Sequence, residues 1–193
     1  MNARIAPLPP ASWPGDMYQA LHALDPRKHG LPPRPPEDRP PTDGILGSFA
    51  HHPQLARGFF EFNGHVLFDT TLTPRQVEII ALRIAARRAC AYLWDHHLFG
   101  ARAAGLTDAD IARVAFGPEA TFPDPLEGAL VRAVDELVED GVVAQPTWDT
   151  LSVALDRRQL LDVLFTAGCY ETVSWFARSL GLDTQAPSEE ANG

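Results

Sequence analysis

Glu78 is the first residue of this chain whose type and surroundings could do chemistry. It stands in an otherwise apolar run, with one apolar residue before it and two after it. Proteins raise the pKa of buried carboxyl groups, and a carboxyl group tuned in this way can act as a general acid or base near neutral pH. The pattern alone equally allows an exposed position, or an ion pair with Arg75 or Arg83.

A second set of candidates lies between Cys90 and His97. Cys90, Leu93, Trp94 and His97 follow the spacing i, i+3, i+4, i+7, which places them on one helix face. A cysteine near a helix N-terminus is favoured as a thiolate, and a histidine can serve as its base. However, seven residues of helix span about 10 Å, so these two side chains are not expected to touch. A buried cysteine and a hydrogen-bonded histidine without chemistry fit the same pattern.

The adjacent histidines His96 and His97 do not predict a metal site. Neighbouring side chains on a helix point apart, and no third ligand follows at a suitable spacing. We therefore expect no metal site at these histidines.

Helix signals surround Glu78. Thr73 is a typical N-cap, a proline follows it, and Gln76 is the matching capping-box residue. The segment from Pro74 to Arg88 is apolar on nearly every side, which indicates a buried helix. A second helix is predicted from about Cys90 to Ala104.

The short link between these two helices, residues 87–89, favours nearly antiparallel packing. That packing can bring Glu78 and His97 together. A carboxylate beside an imidazole stabilises the protonated ring and fixes its tautomer. We therefore expect the two side chains to face one pocket and act as a proton-transfer pair; the alternative is a purely structural bridge.

The rest of the chain also has helical periodicity, so the predicted fold class is all-α. Apolar residues recur at helical spacing after Pro53, at Leu55, Phe59, Phe62 and Val66. Further helices are predicted near Thr107, from Pro125, from Pro146, and from about Arg157 to Leu180. No strand-type alternation of useful length is present.

The distribution of prolines separates an N-terminal segment from the rest of the chain. Twelve of the 18 prolines lie in the first 53 residues, and six of them fall between Leu31 and Pro41, where they exclude a helix. We predict an N-terminal arm over 1–41 with one short helix around Asp16 to Leu24, a helical domain over 42–183, and a polar tail over 184–193. The arm either wraps a neighbouring subunit or is loosely ordered.

The overall charge and cysteine content narrow the class of protein. A formal net charge of −9 argues against binding to nucleic acid and against a basic membrane-surface protein. No apolar run reaches membrane-spanning length, and the N-terminus does not read as a signal peptide. The two cysteines, Cys90 and Cys169, lie in apolar helical patterns, so reduced thiols in the cytoplasm are expected.

The stretch from Ile45 to Leu182 resembles the carboxymuconolactone decarboxylase/AhpD-like family. The residues that carry the resemblance are, in order, His52-Pro53, Leu55-Ala56, Phe62 to His65, Thr73 to Ile79, Leu82 to Ala85, Cys90 to His97, Ala101 to Leu106, and the late Trp148 with the Leu160-to-Gly181 helix. The resemblance implies an AhpD-like helical bundle that assembles as a homo-oligomer, a trimer or a hexamer.

The AhpD-like branch carries a glutamate followed by C-x-x-C-x-x-x-H. Glu78, Cys90 and His97 match that signature, but Leu93 stands at the second cysteine position. A leucine cannot form a disulfide or a thiolate. The resemblance therefore does not imply the two-cysteine peroxidase mechanism for this chain.

The decarboxylase-like branch usually reads Tyr-Glu-Trp-x-x-His at the same place. This chain keeps Tyr92, Trp94 and His97 and has Leu93 instead of the glutamate. The resemblance to this branch implies a cofactor-independent lyase acting on a small cyclic oxygenated carboxylic acid, a lactone or a β-keto acid. Glu78 and His97 would be its acid/base pair.

Other residues would line such a substrate site. Cys90, Tyr92, Leu93 and Trp94 would shape it, and the polar residues Asn63, His65 and Tyr170 are candidates for substrate contact or for ordinary core or interface positions. The same acid/base and pocket residues would also suit an isomerase, a dehydratase or a cyclase. Two other classes stay open: a peroxidase that uses Cys90 alone with an external thiol, and a non-catalytic protein that binds an apolar ligand or a partner protein.

Overall fold

The computed structural model describes residues 3–31 and 43–182, and every regular element in these ranges is helical. The α-helices are α1 (Gly15–Leu21), α2 (Asp43–Phe49), α3 (Pro53–Gly64), α4 (Pro74–Arg88), α5 (Ala91–Ala103), α6 (Asp108–Phe116), α7 (Pro125–Asp140), α8 (Gln145–Ala154) and α9 (Arg157–Leu180). Short 3-10 turns cover Pro10–Ser12, His22–Leu24 and Pro26–His29, and a π-helical turn covers His65–Asp69. The predicted all-α class is confirmed. None of the helices in the described ranges has an apolar stretch of membrane-spanning length.

The chain divides into two compact units. The first unit is Met1–Asp69 with Phe176–Gly193, and the second unit is Thr70–Trp175. The predicted boundaries of the helical domain, at residues 41/42 and 183/184, lie outside the described residues, as do most of the proline-rich stretch and the tail. Those boundaries stay a prediction.

The first unit has an aromatic core. Phe49 of α2 stacks on Phe176 with ring centroids 4.4 Å apart, and it contacts Phe60 of α3 edge-on at 5.1 Å. Met17 and Ala20 of α1 complete the buried cluster. The predicted short helix near Asp16 is present, as α1 followed by a 3-10 turn.

The buried stripe of α3 differs from the stripe that the apolar pattern singled out. Leu55 is 54% exposed, and the buried positions are Ala56, Phe60 and Gly64. These three positions are four residues apart and share one helix face. At Gly64 a Cβ atom would lie 2.7 Å from the carbonyl oxygen of Ala23, so only a residue without a side chain allows the backbones to pack this closely.

The second unit is built around α4, which packs against α5, α6 and α7. The predicted capping box is present, because the Gln76 amide donates to Thr73 Oγ1 and the Gln76 side chain accepts from the Thr73 amide. Eight residues of α4 are buried, as its all-round apolar pattern predicts. The helix ends at Arg88 because Ala89 has a left-handed backbone with φ of 48°.

Arginines on α4 tie this helix to other helices. The pairs are Arg75–Glu127, Arg83–Asp135 and Arg88–Glu171. Arg83 is 5% exposed and binds Asp135 through two hydrogen bonds of 2.6 Å, while its remaining nitrogen donates to the carbonyls of Val114 and Ala115. Breaking such a buried pair costs about 3–5 kcal/mol, so this network fixes the orientation of α4.

Candidate active site

A hydrogen bond joins Glu78 of α4 to His97 of α5. His97 Nδ1 lies 2.8 Å from Glu78 Oε2. The side chain of His97 is 13% exposed and that of Glu78 is 17% exposed. The packing of α4 against α5 brings them together, as the short link between the helices predicted. Arg75 and Arg83, the alternative partners of Glu78, bind other acids.

The direction of this hydrogen bond determines the free nitrogen of His97. An ionised carboxylate can only accept, so Nδ1 carries the proton and donates it to Glu78. Nε2 is then left to take a proton from a bound molecule or to give one to it. The pair therefore holds the imidazole in one tautomer and in one orientation.

Gly100 makes room for the carboxylate. It lies three residues after His97 on α5, and a Cβ atom there would be 2.9 Å from the carboxyl carbon of Glu78. Real Cβ atoms do not approach other atoms this closely, so the carboxylate of Glu78 occupies the volume that a side chain would take. The sequence pattern did not single out this glycine, because it stands within the last turn of α5 and carries no turn signal of its own.

Tyr170 of α9 lies against the histidine. Its ring meets the ring of His97 edge-on, with centroids 4.6 Å apart. Tyr170 is 3% exposed, and among the described residues its hydroxyl has no hydrogen-bond partner. Burial, followed by the negative charge of Glu78, raises the pKa of Tyr170 well above its usual range. The hydroxyl is therefore a protonated donor whose hydrogen bond is not made within the described protein.

Two more hydroxyls follow the same face of α9. Thr166 and Ser174 lie four residues before and after Tyr170, both are buried, and both lack a hydrogen-bond partner among the described residues. Buried polar groups in proteins are nearly always satisfied, by protein, water or ligand. This row of hydroxyls was not predicted, although its spacing of i, i+4, i+8 is visible in the sequence.

Cys90 lies at the N-terminus of α5, as predicted. It is the N-cap residue, with extended backbone angles, and the helix itself begins at Ala91. Cys90 is 1% exposed, and Leu93 is 2% exposed. Both cysteines of the chain are buried and form no disulfide with each other, and burial raises the pKa of Cys169 to about 12.

The remaining residues of this segment have local partners. The ring of Tyr92 contacts the ring of His96 at 3.9 Å, and His96 Nδ1 lies 2.8 Å from the carbonyl oxygen of Tyr92. Burial raises the pKa of Tyr92, with a smaller contribution from the charge of Cys90. Trp94 is half-buried. In the described ranges no group of histidine, cysteine and acidic side chains is arranged to hold a metal ion.

Asn63 and His65 belong to the first unit, whereas Glu78 and His97 belong to the second. Asn63 lies near the end of α3, with a buried Oδ1 that has no partner among the described residues, and the exposed His65 begins the π-helical turn. Their predicted contact with the substrate of the Glu78–His97 pair stays a prediction.

The carboxymuconolactone decarboxylase family model matches residues 53–136. This range includes both Glu78 and His97. Over these residues, somewhat less than half of the chain, the protein is similar to the carboxymuconolactone decarboxylase family. No protein of curated description matches the chain in sequence.

Two solved structures have a similar fold. A protein of unknown function from Agrobacterium tumefaciens, described as a candidate antioxidant defence protein AhpD, is 22% identical, with a TM-score of 0.64 over 73% of this chain and 96% of that one. An uncharacterized peroxidase-related protein with an alkylhydroperoxidase AhpD core, from Ralstonia eutropha JMP134, is 18% identical, with a TM-score of 0.71 over 94% of this chain and 91% of that one. At these identities the likeness shows the fold alone.

Proposed function

We propose that this protein is a cofactor-independent acid/base enzyme that decarboxylates a small cyclic oxygenated carboxylic acid, a carboxylated lactone or a β-keto acid. The observation that carries the proposal is the 2.8 Å hydrogen bond between His97 Nδ1 and Glu78 Oε2. It leaves one imidazole nitrogen, Nε2, for proton transfer. We place the reaction in the cytoplasm, where two buried cysteines that form no disulfide stay reduced.

The reaction needs a proton donor and an electron sink. The carbon–carbon bond to the carboxylate breaks, carbon dioxide leaves, and the electron pair moves into the carbonyl or lactone group of the substrate. Protonated His97 then transfers its Nε2 proton to the resulting enolate carbon, and solvent restores that proton. Glu78 stabilises the positive charge of the imidazolium before the transfer and keeps Nε2 aimed at the substrate.

Tyr170 provides the second part of the proposed site. Its buried hydroxyl, which has no partner in the described protein, can donate to the oxygen on which negative charge develops. A phenol held in its protonated form by burial suits this role, because it donates without losing its proton. Tyr92, Leu93 and Trp94 are proposed to shape the apolar part of the site.

The test is carbon dioxide release from a panel of β-keto acids and carboxylated lactones. We expect Glu78→Gln and His97→Asn to lower kcat by about 10²–10⁴, the usual contribution of general acid–base catalysis. Cys90→Ser is the matched control and is expected to keep its activity. If both acid/base variants fold, assemble and turn over the accepted substrate at the wild-type rate, the assignment is wrong. If the product is isomerised, dehydrated or cyclised and no carbon dioxide is released, the same pair catalyses that reaction instead of a decarboxylation.

A single-cysteine peroxidase is the second candidate. Cys90 occupies the N-cap of α5, where the helix dipole favours a thiolate, and the two structural relatives are described as antioxidant or peroxidase-related. The thiolate would attack a peroxide oxygen, release an alcohol and become a sulfenic acid that an external thiol reduces. The 1% exposure of Cys90 opposes this reading. Peroxide consumption with excess thiol that disappears in Cys90→Ser would favour it over the acid/base reaction.

A further inference from the structure

The first unit contains a cavity of about 510 Å³ that the proposed acid/base chemistry does not use. Its walls come from α1, the two 3-10 turns that follow it, α3 and the π-helical turn. This volume lies in the range of small-molecule sites, which is about 300–1,000 Å³.

Basic side chains are concentrated around the cavity. Those that line it are His22, Lys28, His29, Arg57 and His65. Lys28 is the only lysine of the chain, and the three histidines are three of its seven. With histidines counted as neutral, as in the formal net charge of −9 for the whole chain, Lys28 and Arg57 balance Glu61 and Asp69 at this cavity.

The two acids of the cavity already have partners. Glu61 Oε1 accepts a hydrogen bond of 3.2 Å from Arg57 Nε, and Asp69 Oδ1 lies 3.0 Å from His29 Nδ1. Among the described residues, the ammonium group of Lys28 forms no ion pair. Lys28 is therefore a cation of the cavity without an ion-pair partner in the described protein, and both acids of the cavity have a hydrogen-bond partner.

The walls of the cavity are shaped by two backbone features. The absence of a side chain at Gly64 lets α3 approach the carbonyl oxygen of Ala23 closely. The π-helical turn that follows carries His65 and Asp69 to the cavity, and its Phe68 stacks on His29 with ring centroids 4.6 Å apart. π-helical turns are rare in proteins and frequently occur at functional sites.

We propose that this cavity binds a small organic anion through a carboxylate or phosphate group, with Lys28 as its main charged partner. Arg57 contributes when it leaves Glu61, since an exposed ion pair between residues four apart on a helix exchanges easily. The proposal does not rest on the proposed function, because neither Glu78 nor His97 belongs to the cavity.

The presence of a single lysine allows a direct test. Labelling the full chain with ¹⁵N-lysine gives one backbone amide resonance, that of Lys28. The probes are inorganic phosphate, malonate and the uncharged malonamide, each added at constant ionic strength. A saturable shift of this resonance with malonate or phosphate, and none with malonamide, is the expected result, and the stronger of the two anions identifies the ligand group. A shift that grows linearly with each salt, or an equal shift with malonamide, would overturn the proposal.

Two charge variants are expected to change the affinity for the anion in opposite directions, which a purely structural role of these residues would not produce. By calorimetry with the anion that binds, Lys28→Gln is expected to bind about tenfold more weakly, as loss of one charge-assisted contact implies. Glu61→Gln frees Arg57 and is expected to bind more tightly. Arg157→Gln removes an exposed charge of the second unit and serves as the control. If Lys28→Gln, Glu61→Gln and the wild type bind the anion with equal affinity, the proposed site is wrong.

Discussion

The carboxylate of Glu78 lies against the backbone of Gly100, in the space that a side chain at Gly100 would fill. The same carboxylate accepts the hydrogen bond of His97, which stands three residues earlier on α5. The glycine is therefore a positioning residue for the pair, because it allows the acid to pass beside α5 and reach the imidazole.

Gly100→Ala should separate positioning from folding. The added methyl group displaces the flexible end of Glu78 instead of the backbone, and alanine is favoured over glycine in a helix by about 0.5–1 kcal/mol. We expect a folded protein of lower Tm, because loss of the largely buried Glu78–His97 pair outweighs the helix preference of alanine, and a His97 ring without a single tautomer. Nitrogen chemical shifts of the His97 ring measure this without a substrate, and kcat should fall with it.

Gly58→Ala is the control, because Gly58 is a helical glycine with open space around it. It should stabilise the protein by about 0.5–1 kcal/mol and leave the tautomer of His97 unchanged. A single His97 tautomer in Gly100→Ala would show that the carboxylate adapts without losing its partner.

Tyr170→Phe should lower kcat without destabilising the fold, because the proposed hydrogen bond forms to the oxygen on which negative charge develops. The hydroxyl makes no hydrogen bond within the described protein, and an unsatisfied buried polar group costs about 1–3 kcal/mol. Its removal is therefore expected to leave the free energy of unfolding unchanged or higher in urea. Tyr18→Phe is the control, because its hydroxyl donates to the carbonyl of Pro10 at 2.8 Å. A Tyr170→Phe protein destabilised by more than Tyr18→Phe would show that this hydroxyl has a structural partner.

The location of the candidate pair could be predicted from the sequence, because local signals set the two helices. The capping residues Thr73 and Gln76 fix where α4 begins, and a short link at Ala89 sends the chain into α5. With both helix starts known and the connection short, only one face of each helix can meet the other. Glu78 and His97 both lie on those faces.

Features that depend on distant segments could not be predicted in this way. Gly100 has no local signal, because its importance comes from a side chain 22 residues earlier in the chain. The partner of Arg83 stands on α7, one of many acids that the sequence offers. The π-helical turn at His65–Asp69 continues the periodicity of α3 closely enough that the apolar pattern predicts an ordinary helix there.

The stability that Asp110 provides should depend on pH below about 4. Hydrogen bonding from the backbone of Thr107, and then from its hydroxyl and from Arg75, lowers the pKa of Asp110 from its usual value of 3.8. A carboxyl group whose pKa is lower in the folded state stabilises the protein above its unfolded pKa, and this contribution is lost as the pH falls through the folded pKa. Asp110→Asn should therefore be less stable than the wild type by about 1 kcal/mol at pH 7, typical of a lost cap, and the difference should shrink from pH 4 downward.

This difference is measured by urea unfolding of both proteins from about pH 2.5 to about pH 7. The lower limit lies roughly one unit below the usual carboxyl pKa, and the upper limit is neutral pH. Asp108→Asn is the control, because Asp108 lies in the same first turn of α6 but its side chain is 84% exposed. A difference for Asp110→Asn that does not change with pH would contradict the assigned role of its charge.

The last prediction concerns assembly, and it starts from an apolar stripe on α9. Leu161, Phe165 and Trp175 are 57%, 56% and 56% exposed, and their spacing of four and then ten residues keeps them on one side of the helix. Large exposed apolar groups that share one surface mark protein interfaces more often than isolated ones do.

We expect the protein to form a trimer or a hexamer through this stripe, measurable by light scattering at micromolar concentration. Trp175→Glu and Leu161→Glu should each shift the distribution toward the monomer, because a carboxylate in an apolar interface loses its hydration without gaining a partner. Val153→Glu is the control, since Val153 is 90% exposed on α8 and stands outside the stripe. A wild-type protein that is monomeric at this concentration would reject the assembly, and an oligomer that both α9 variants leave intact would place its interface on another surface.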